Sequence, residues 1–208
     1  MDAVHDLPLF LAAGLLLNFT PGPDMLYVIG TSTSRGVRAG WLAALGIGAG
    51  CLVHVGLAAV GISAVIASSP WAFELVKYLG AAYLVYAGLA LLWRRGPAAD
   101  GGAPRATDGV FVQGMLVNVL NPKVALFFLA FLPQFIDASS PGKAWAFTIL
   151  GLLFTATGTA VNLAAAAAAG TLQARLRARG GGPGRWIDKV VGGVFVALGV
   201  RLALSART

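Results

Sequence analysis

One cysteine, Cys51, and two histidines, His5 and His54, are all the cysteine and histidine in 208 residues. A single thiol makes no internal disulfide and no CxxC redox pair, and zinc finds too few of its usual nitrogen and sulfur ligands here. Acidic side chains are nearly as scarce, eight Asp and Glu in all, and no pair of aspartates falls within an apolar run. Charged residues of both signs make up 11% of the chain, against about one quarter in soluble domains. So few charges cannot cover a water-soluble globule of this length, and lipid has to cover much of it. The N-terminus carries Asp2 and Asp6 and no Lys or Arg. A secretory signal needs a basic segment and a small-residue cleavage site, so the first apolar stretch is expected to stay as a helix of the mature chain.

What fills the chain instead is hydrophobic, 58% of residues with a mean hydropathy of +0.80. Six apolar stretches stand out, at 7–30, 40–66, 75–93, 110–135, 144–169 and 186–204. Each is near the roughly 20 residues that span a bilayer; Asp188 and Lys189 crowd the start of the last. The expected fold is an all-α integral membrane protein of about six transmembrane helices. A linker rich in Gly, Pro, Ala and charge, 94–109, separates two near-equal halves, 1–93 and 110–208, of three spans each.

The net charge of +7 is carried in the gaps between these runs. Arg35 and Arg38, then Arg94, Arg95 and Arg105, then Arg175, Arg177, Arg179 and Arg185 all fall on one side of the six-span plan. The other side has little beyond Lys77, Lys143 and Arg207. The positive-inside rule then makes loops 31–39, 94–109 and 170–185 cytoplasmic and puts both termini outside. With no basic face and no reading motif, nucleic acid is not an expected partner.

The halves echo one another. Gly14, Asn18 and Pro21 return as Gly114, Asn118 and Pro122, with one extra residue in the second copy, and Lys77, Gly80 and Tyr83 return as Lys189, Gly192 and Phe195. A repeat of three spans enters the membrane upside down relative to its partner, which gives two inverted three-helix repeats as in many secondary transporters.

The chemistry is expected where prolines interrupt the first and fourth spans. Asn18, Thr20, Pro21, Gly22, Pro23 and Asp24 stand at one interruption, and Asn118, Asn121, Pro122 and Lys123 at the other. Freed backbone groups there must be buried in protein or line a wet cavity, and paired interrupted spans point to a midplane substrate site. A half-helix N-terminus suits a carboxylate, while free carbonyls and an aspartate suit an ammonium. These residues are the candidate substrate site for an amino acid. Asp24 and Lys123 are expected to pair when the site is empty, and Asp24 and His54 are candidates for carrying a proton. The plainer readings are proline kinks without a transport role, a satisfied core histidine at His54, and a helix-to-helix hydrogen bond at Asn162. Gly46, Gly50 and the alanine run at 164–169 read as close helix packing, Glu74 and Lys77 as an interfacial pair, Arg201 as snorkelling to the surface, and Trp71, Trp93 and Trp186 as interface anchors. The small-residue faces also suit a homo-oligomer.

The segment NFTPGPDMLYVIGTSTSRGVRAG, residues 18–40, resembles the signature of the lysine exporter (LysE/RhtB) family and is nearest its homoserine/threonine efflux branch. FVQGMLVNVLNPKVALFFLAFLPQF, residues 111–135, resembles that family's second signature. The resemblance implies an exporter of amino acids or close derivatives in the bacterial inner membrane, driven by the proton gradient, with no bound cofactor and no ATP site. It carries over Pro21, Gly22, Pro23, Asp24, Asn121, Pro122 and Lys123. It does not choose among threonine, homoserine, its lactone, leucine and basic amino acids. The alternatives are an intramembrane enzyme, for which no G-x-S-x-G or H-E-x-x-H motif is present, and a passive channel or assembly subunit.

Overall fold

Helix α1 (Leu7–Phe19) stops where the chain reads Thr20-Pro21-Gly22, and helix α2 (Pro23–Arg35) begins at the next proline. Proline lacks the N–H that would bond the carbonyl one turn back, but at the first position of a helix that N–H has no partner to lose. The two helices meet at 47°. In this computed structural model the same event occurs between α4 (Val110–Val119) and α5 (Pro122–Leu126). Asn121 caps α5, its side-chain oxygen accepting the Lys123 N–H at 3.0 Å, as asparagine does at helix starts. A π turn (Phe127–Phe131) and a 3-10 turn (Leu132–Phe135) prolong α5, and this second bend is 46°. By helix position Pro23, not Pro21, is the counterpart of Pro122. The extra residue therefore lies in the first break, where Pro21 precedes the Gly22 cap, rather than in the second as the sequence match suggests.

The structure describes residues 3–61, 107, 109–137 and 139–178, with separate positions at 71, 78, 81, 82, 85, 86, 89, 92, 189, 193, 196, 197, 200 and 204. The expected third and sixth spans and the linker at 94–109 otherwise lie outside the described residues, as do Glu74, Lys77, Trp93, Trp186 and Arg201. Among the described residues every extended element is helical, apart from one isolated antiparallel bridge between Val4 and Ile136.

Two helices run unbroken, α3 (Val37–Ala59) and α6 (Lys143–Ala178). Both are long and apolar enough to cross a membrane, and the two bent pairs raise the number of candidate spans to four. Helix α3 ends at Ala59 and Gly61, at φ 77°, turns the chain just past it; residues 62–66 of the expected second span lie outside the described residues. The fifth runs past 169 to Ala178, because the Leu, Gln, Ala and Arg that follow Gly170 are strong helix formers. At about 1.5 Å per residue α6 is ~54 Å long, well beyond a hydrocarbon core of ~30 Å.

Small residues let these helices touch at the backbone. A Cβ on Gly50 would stand 2.5 Å from the Met115 carbonyl oxygen, one on Gly114 2.6 Å from that of Ala43, and one on Gly46 would collide with that of Phe111. This is the close approach that small residues allow inside membranes, and it locks α3 to α4. Phenylalanines fill the other half of the core: Phe127 stacks on Phe154 at 4.0 Å between ring centres, and Phe10 meets Phe135 edge-on at 5.4 Å. Leu9, Leu16, Phe19, Trp41 and Leu45 point outward, an apolar exterior that suits lipid.

The two ends of the bundle differ in charge. At one end His5 N–H donates to Phe135 O at 3.1 Å and Asp137 N–H to Ala3 O at 2.9 Å, which sets the start of α1 beside the end of the second bent pair. Asp6, Asp137 and Lys143 gather there. Hydrogen bonds from Ser139 hold the Asp137 carboxyl below the usual carboxylate range. At the other end a Cβ on Gly170 would lie 2.6 Å from Val37 Cγ2, so the tail of α6 lies beside the α2–α3 turn. Arg35, Arg38 and Arg175 collect at that end.

Candidate substrate site between the two helix breaks

Asp24 is the second residue of α2, where the positive end of the helix dipole favours a carboxylate. It is 8% exposed, and its Oδ2 accepts a hydrogen bond from Asn118 Nδ2 at 2.8 Å. Asn118, itself 2% exposed, sits in the last turn of α4. The two breaks are thus joined by one aspartate–asparagine contact. Three buried polar atoms here have no hydrogen-bond partner: Asp24 Oδ1, Asn118 Oδ1 and Asn121 Nδ2. Asn121 stands beside the Asp24 carboxyl, so the unpaired amide donor and the unpaired carboxylate acceptor are neighbours. Since nearly all buried polar groups in folded proteins are paired, Asn118 Oδ1 is the acceptor left for a further polar group.

Lys123 does not pair directly with Asp24. Its Nζ donates to Leu17 O at 3.0 Å and to Thr20 O at 2.9 Å. One turn after Leu17 comes Pro21, which has no N–H to offer, and the negative end of the α1 dipole also favours a cation there. Thr20 O, together with Leu17 O, which also accepts the Thr20 N–H at 3.1 Å, therefore takes the ammonium of the second break. Gly22 leaves room for it, since a Cβ there would stand 3.3 Å from Nζ.

A cavity opens beside these groups, walled on the far side by α3 and α6. The α3 wall is Ile47, Gly48 and Cys51, and the α6 wall includes Phe154, Thr155, Thr159 and Asn162. These positions straddle the midpoint of each helix, so the cavity lies at mid-depth. Its volume is about 30 Å³, room for roughly two waters at the 10–15 Å³ each requires. An amino acid needs it to widen.

The expected site residues divide into three groups. Asn18, Thr20, Asp24, Asn118 and Lys123 line the cavity. Asn18 also ties α1 to α6, donating to Thr157 Oγ1 at 3.0 Å and Phe154 O at 3.4 Å, and the Thr20 hydroxyl turns back to Leu16 O at 2.7 Å. Pro21, Gly22, Pro23, Asn121 and Pro122 shape the breaks without forming the wall; Asn121 is fully buried as the α5 cap. His54 is set behind the cavity, with Nε2 3.2 Å from Asn118 O and its ring stacked on Phe128. Cys51, Phe154, Thr155 and Thr159 were not among the expected residues. Thr155, Thr159 and Asn162 do form a polar stripe at i, i+4 and i+7 on an apolar helix, which is the helical period. Among the described residues no three His, Cys, Asp or Glu side chains gather to hold a metal ion.

Residues 15–206 match the family model described as LysE type translocator. The chain belongs to that family. Relatives of this LysE type translocator include the leucine efflux protein of Enterobacter sp. (strain 638), 36% identical over 145 residues that cover 68% of each chain. The leucine efflux protein of Salmonella typhimurium is 33% identical over 144 residues, again 68% of each chain. An uncharacterized membrane protein of Pseudomonas aeruginosa is 34% identical over 201 residues, covering 89% of this chain and 88% of its own. No solved structure matches the translocator. Membership makes the chain an amino-acid efflux translocator, and the matched residues take in both helix breaks and the cavity between them.

Proposed function

We propose that this translocator exports small neutral amino acids across the bacterial inner membrane in exchange for protons. The observation that carries the reading is Asp24: a carboxylate buried at mid-depth between two broken helices, with one oxygen bonded to Asn118 and the Asn121 amide beside it. Ionisable groups inside a membrane are costly and mark substrate or proton paths. Asp24 Oδ1, beside the Asn121 amide, and Asn118 Oδ1 are acceptors that suit the ammonium of an amino acid. The same carboxylate takes up a proton when the ammonium leaves, and His54 stands behind Asn118 as a second proton-carrying candidate. Asn18, Thr20 and Lys123 complete the head-group side, and the residues of the two breaks, Pro21, Gly22, Pro23, Asn121 and Pro122, hold it in shape.

Cargo class follows from the opposite wall. Met25, Ile47 and Phe154 offer an apolar surface and Thr155, Thr159 and Asn162 a polar one. The relatives named leucine efflux protein support an aliphatic side chain, while the two sequence signatures support the homoserine/threonine branch. Both cargoes share the zwitterionic head and a small neutral side chain.

The closely similar bends of 47° and 46° and the matched proline positions support two inverted repeats, residues 1–93 and 110–208 about the linker 94–109. The clustering of Arg35, Arg38 and Arg175 supports a cytoplasmic face at that end of the bundle. On this reading the protein is a carrier without a cofactor and not an enzyme.

The test is flux in proteoliposomes with an imposed proton gradient, using leucine, threonine, homoserine and lysine for wild type, Asp24→Asn and Lys123→Ala. Gradient-driven movement of a neutral member, lost in Asp24→Asn, is expected. Movement of none by correctly folded protein sinks the cargo class, and equal flux with and without the gradient makes it a passive channel.

A further inference from the structure

We propose that the C-terminal end of α1 is a monovalent-cation site, that this chain fills it with its own Lys123 ammonium, and that transport therefore needs no free sodium. Only the last clause rests on the carrier reading above. A helix interrupted within a membrane leaves carbonyl oxygens without donors at the negative end of its dipole. In secondary transporters such broken ends coordinate the coupling cation. Here Thr20 O and Leu17 O, the latter also accepting the Thr20 N–H at 3.1 Å and so offering its second lone pair, converge on one point, and the group at that point is Lys123 Nζ, 2.9 and 3.0 Å away. Asp24 adds a nearby negative charge. Backbone carbonyls beside a carboxylate are the hard-oxygen ligands that suit an alkali cation, and a primary ammonium brings the same charge with N–H donors to spend on the same oxygens.

The geometry around the stem fits this role. A Cβ on Gly22 would stand 3.3, 3.6 and 3.8 Å from Nζ, Cε and Cδ of Lys123, so the bare backbone at Gly22 lets the lysine stem lie close along the break. Lys123 is the second residue of α5, the helix that starts at the other break. Its ammonium therefore tethers one broken helix to the other, a link that a free ion would not make.

The test is the thermal midpoint of purified Lys123→Ala beside wild type, with sodium, n-propylammonium or tetramethylammonium chloride at equal ionic strength. Loss of the charge-assisted bonds is expected to lower the midpoint by roughly 5 °C. Propylammonium replaces the three carbons and the ammonium that the variant lacks, so it is expected to restore the variant and leave wild type unmoved, with sodium acting in the same direction. Tetramethylammonium has no N–H and is expected to do nothing. Rescue by no cation, or equal effects on wild type and variant, overturns the site. Lys123→Met keeps the volume without the charge, so it should be less stable than wild type and indifferent to propylammonium; stability equal to wild type also overturns the site. These readouts are of stability and stand apart from whether the cargo class is right. Wild-type flux with sodium replaced by choline tests the last clause: unchanged flux is expected, and sodium-dependent flux overturns it.

Discussion

Asn118 donates its side-chain amide to the Asp24 carboxylate across 2.8 Å, joining the last turn of α4 to the first turn of α2. Its backbone carbonyl meets His54 Nε2 at 3.2 Å. One asparagine therefore stands between the buried acid and the buried histidine, and whatever moves one break relative to the other acts on this contact.

Asp24→Asn separates function from stability. Asparagine keeps the shape of the side chain and removes the cost of holding a carboxylate with no direct ion-pair partner out of water. The variant is therefore expected to melt at or above the wild-type temperature while losing uphill efflux. Asn118→Ala should do the opposite to stability, since it strips the carboxylate of its donor at a cost of about 1–3 kcal/mol. Thermal melts of both variants beside the flux assay check this, and a strongly destabilised Asp24→Asn would assign the acid a structural role.

The α3–α4 contact makes a second, purely structural prediction. Alanine at Gly46 would collide with the Phe111 carbonyl oxygen, and forcing extra volume into a packed contact costs about 1–3 kcal/mol. Gly56 lies on the same helix with nothing within 4 Å of the position of a Cβ. Alanine there should be neutral or stabilising by up to about 1 kcal/mol, the difference in helix propensity. Equal effects of Gly46→Ala and Gly56→Ala on the melting temperature would remove the close approach from the account of this fold.

Both breaks were legible because proline's missing N–H is a covalent property, visible wherever the residue is written. The gathering of Arg35, Arg38 and Arg175 at one end was legible for a similar reason, since charge has to sit outside the apolar runs. The direction of Lys123 was not. Pairing with Asp24 follows from charge alone, whereas bonding to Leu17 O and Thr20 O depends on which carbonyls the folded break brings within reach of Nζ. The polar stripe on α6 was hidden by an ordinary habit of threonine in helices: Thr155 Oγ1 reaches back to Gly151 O at 2.8 Å, so a threonine in an apolar run looks satisfied without any cavity.

Sidedness can be read with single cysteines. Cys51 is buried, and a Cys51→Ala background leaves no other thiol. Ser139→Cys lies in the exposed turn beside Asp137, and Arg175→Cys near the tail of α6. With the basic end cytoplasmic, an impermeant maleimide should label Ser139→Cys in intact cells and Arg175→Cys only after the membrane is opened. The reverse pattern would turn the whole bundle over.

The polar stripe on α6 predicts how cargo is chosen. Asn162 and Thr159 face the cavity from the wall opposite the Asp24–Asn118 contact. If the head group sits at Asp24, the side chain of the cargo reaches toward α6. A buried amide that bonds a cargo hydroxyl is left unpaired when that hydroxyl is missing, and this discriminates far more strongly than one methylene in an apolar pocket. Asn162→Leu should therefore shift preference from homoserine toward leucine, by roughly tenfold for the loss of one such bond. The measurement is the ratio of half-saturation concentrations for the two cargoes in the same vesicles, with Asn18→Ala as a control. Asn18 lies on the head-group side and ties α1 to α6, so its loss should weaken both cargoes together and leave the ratio unchanged. A ratio that moves with Asn18→Ala and not with Asn162→Leu would place the side chain of the cargo at the opposite wall.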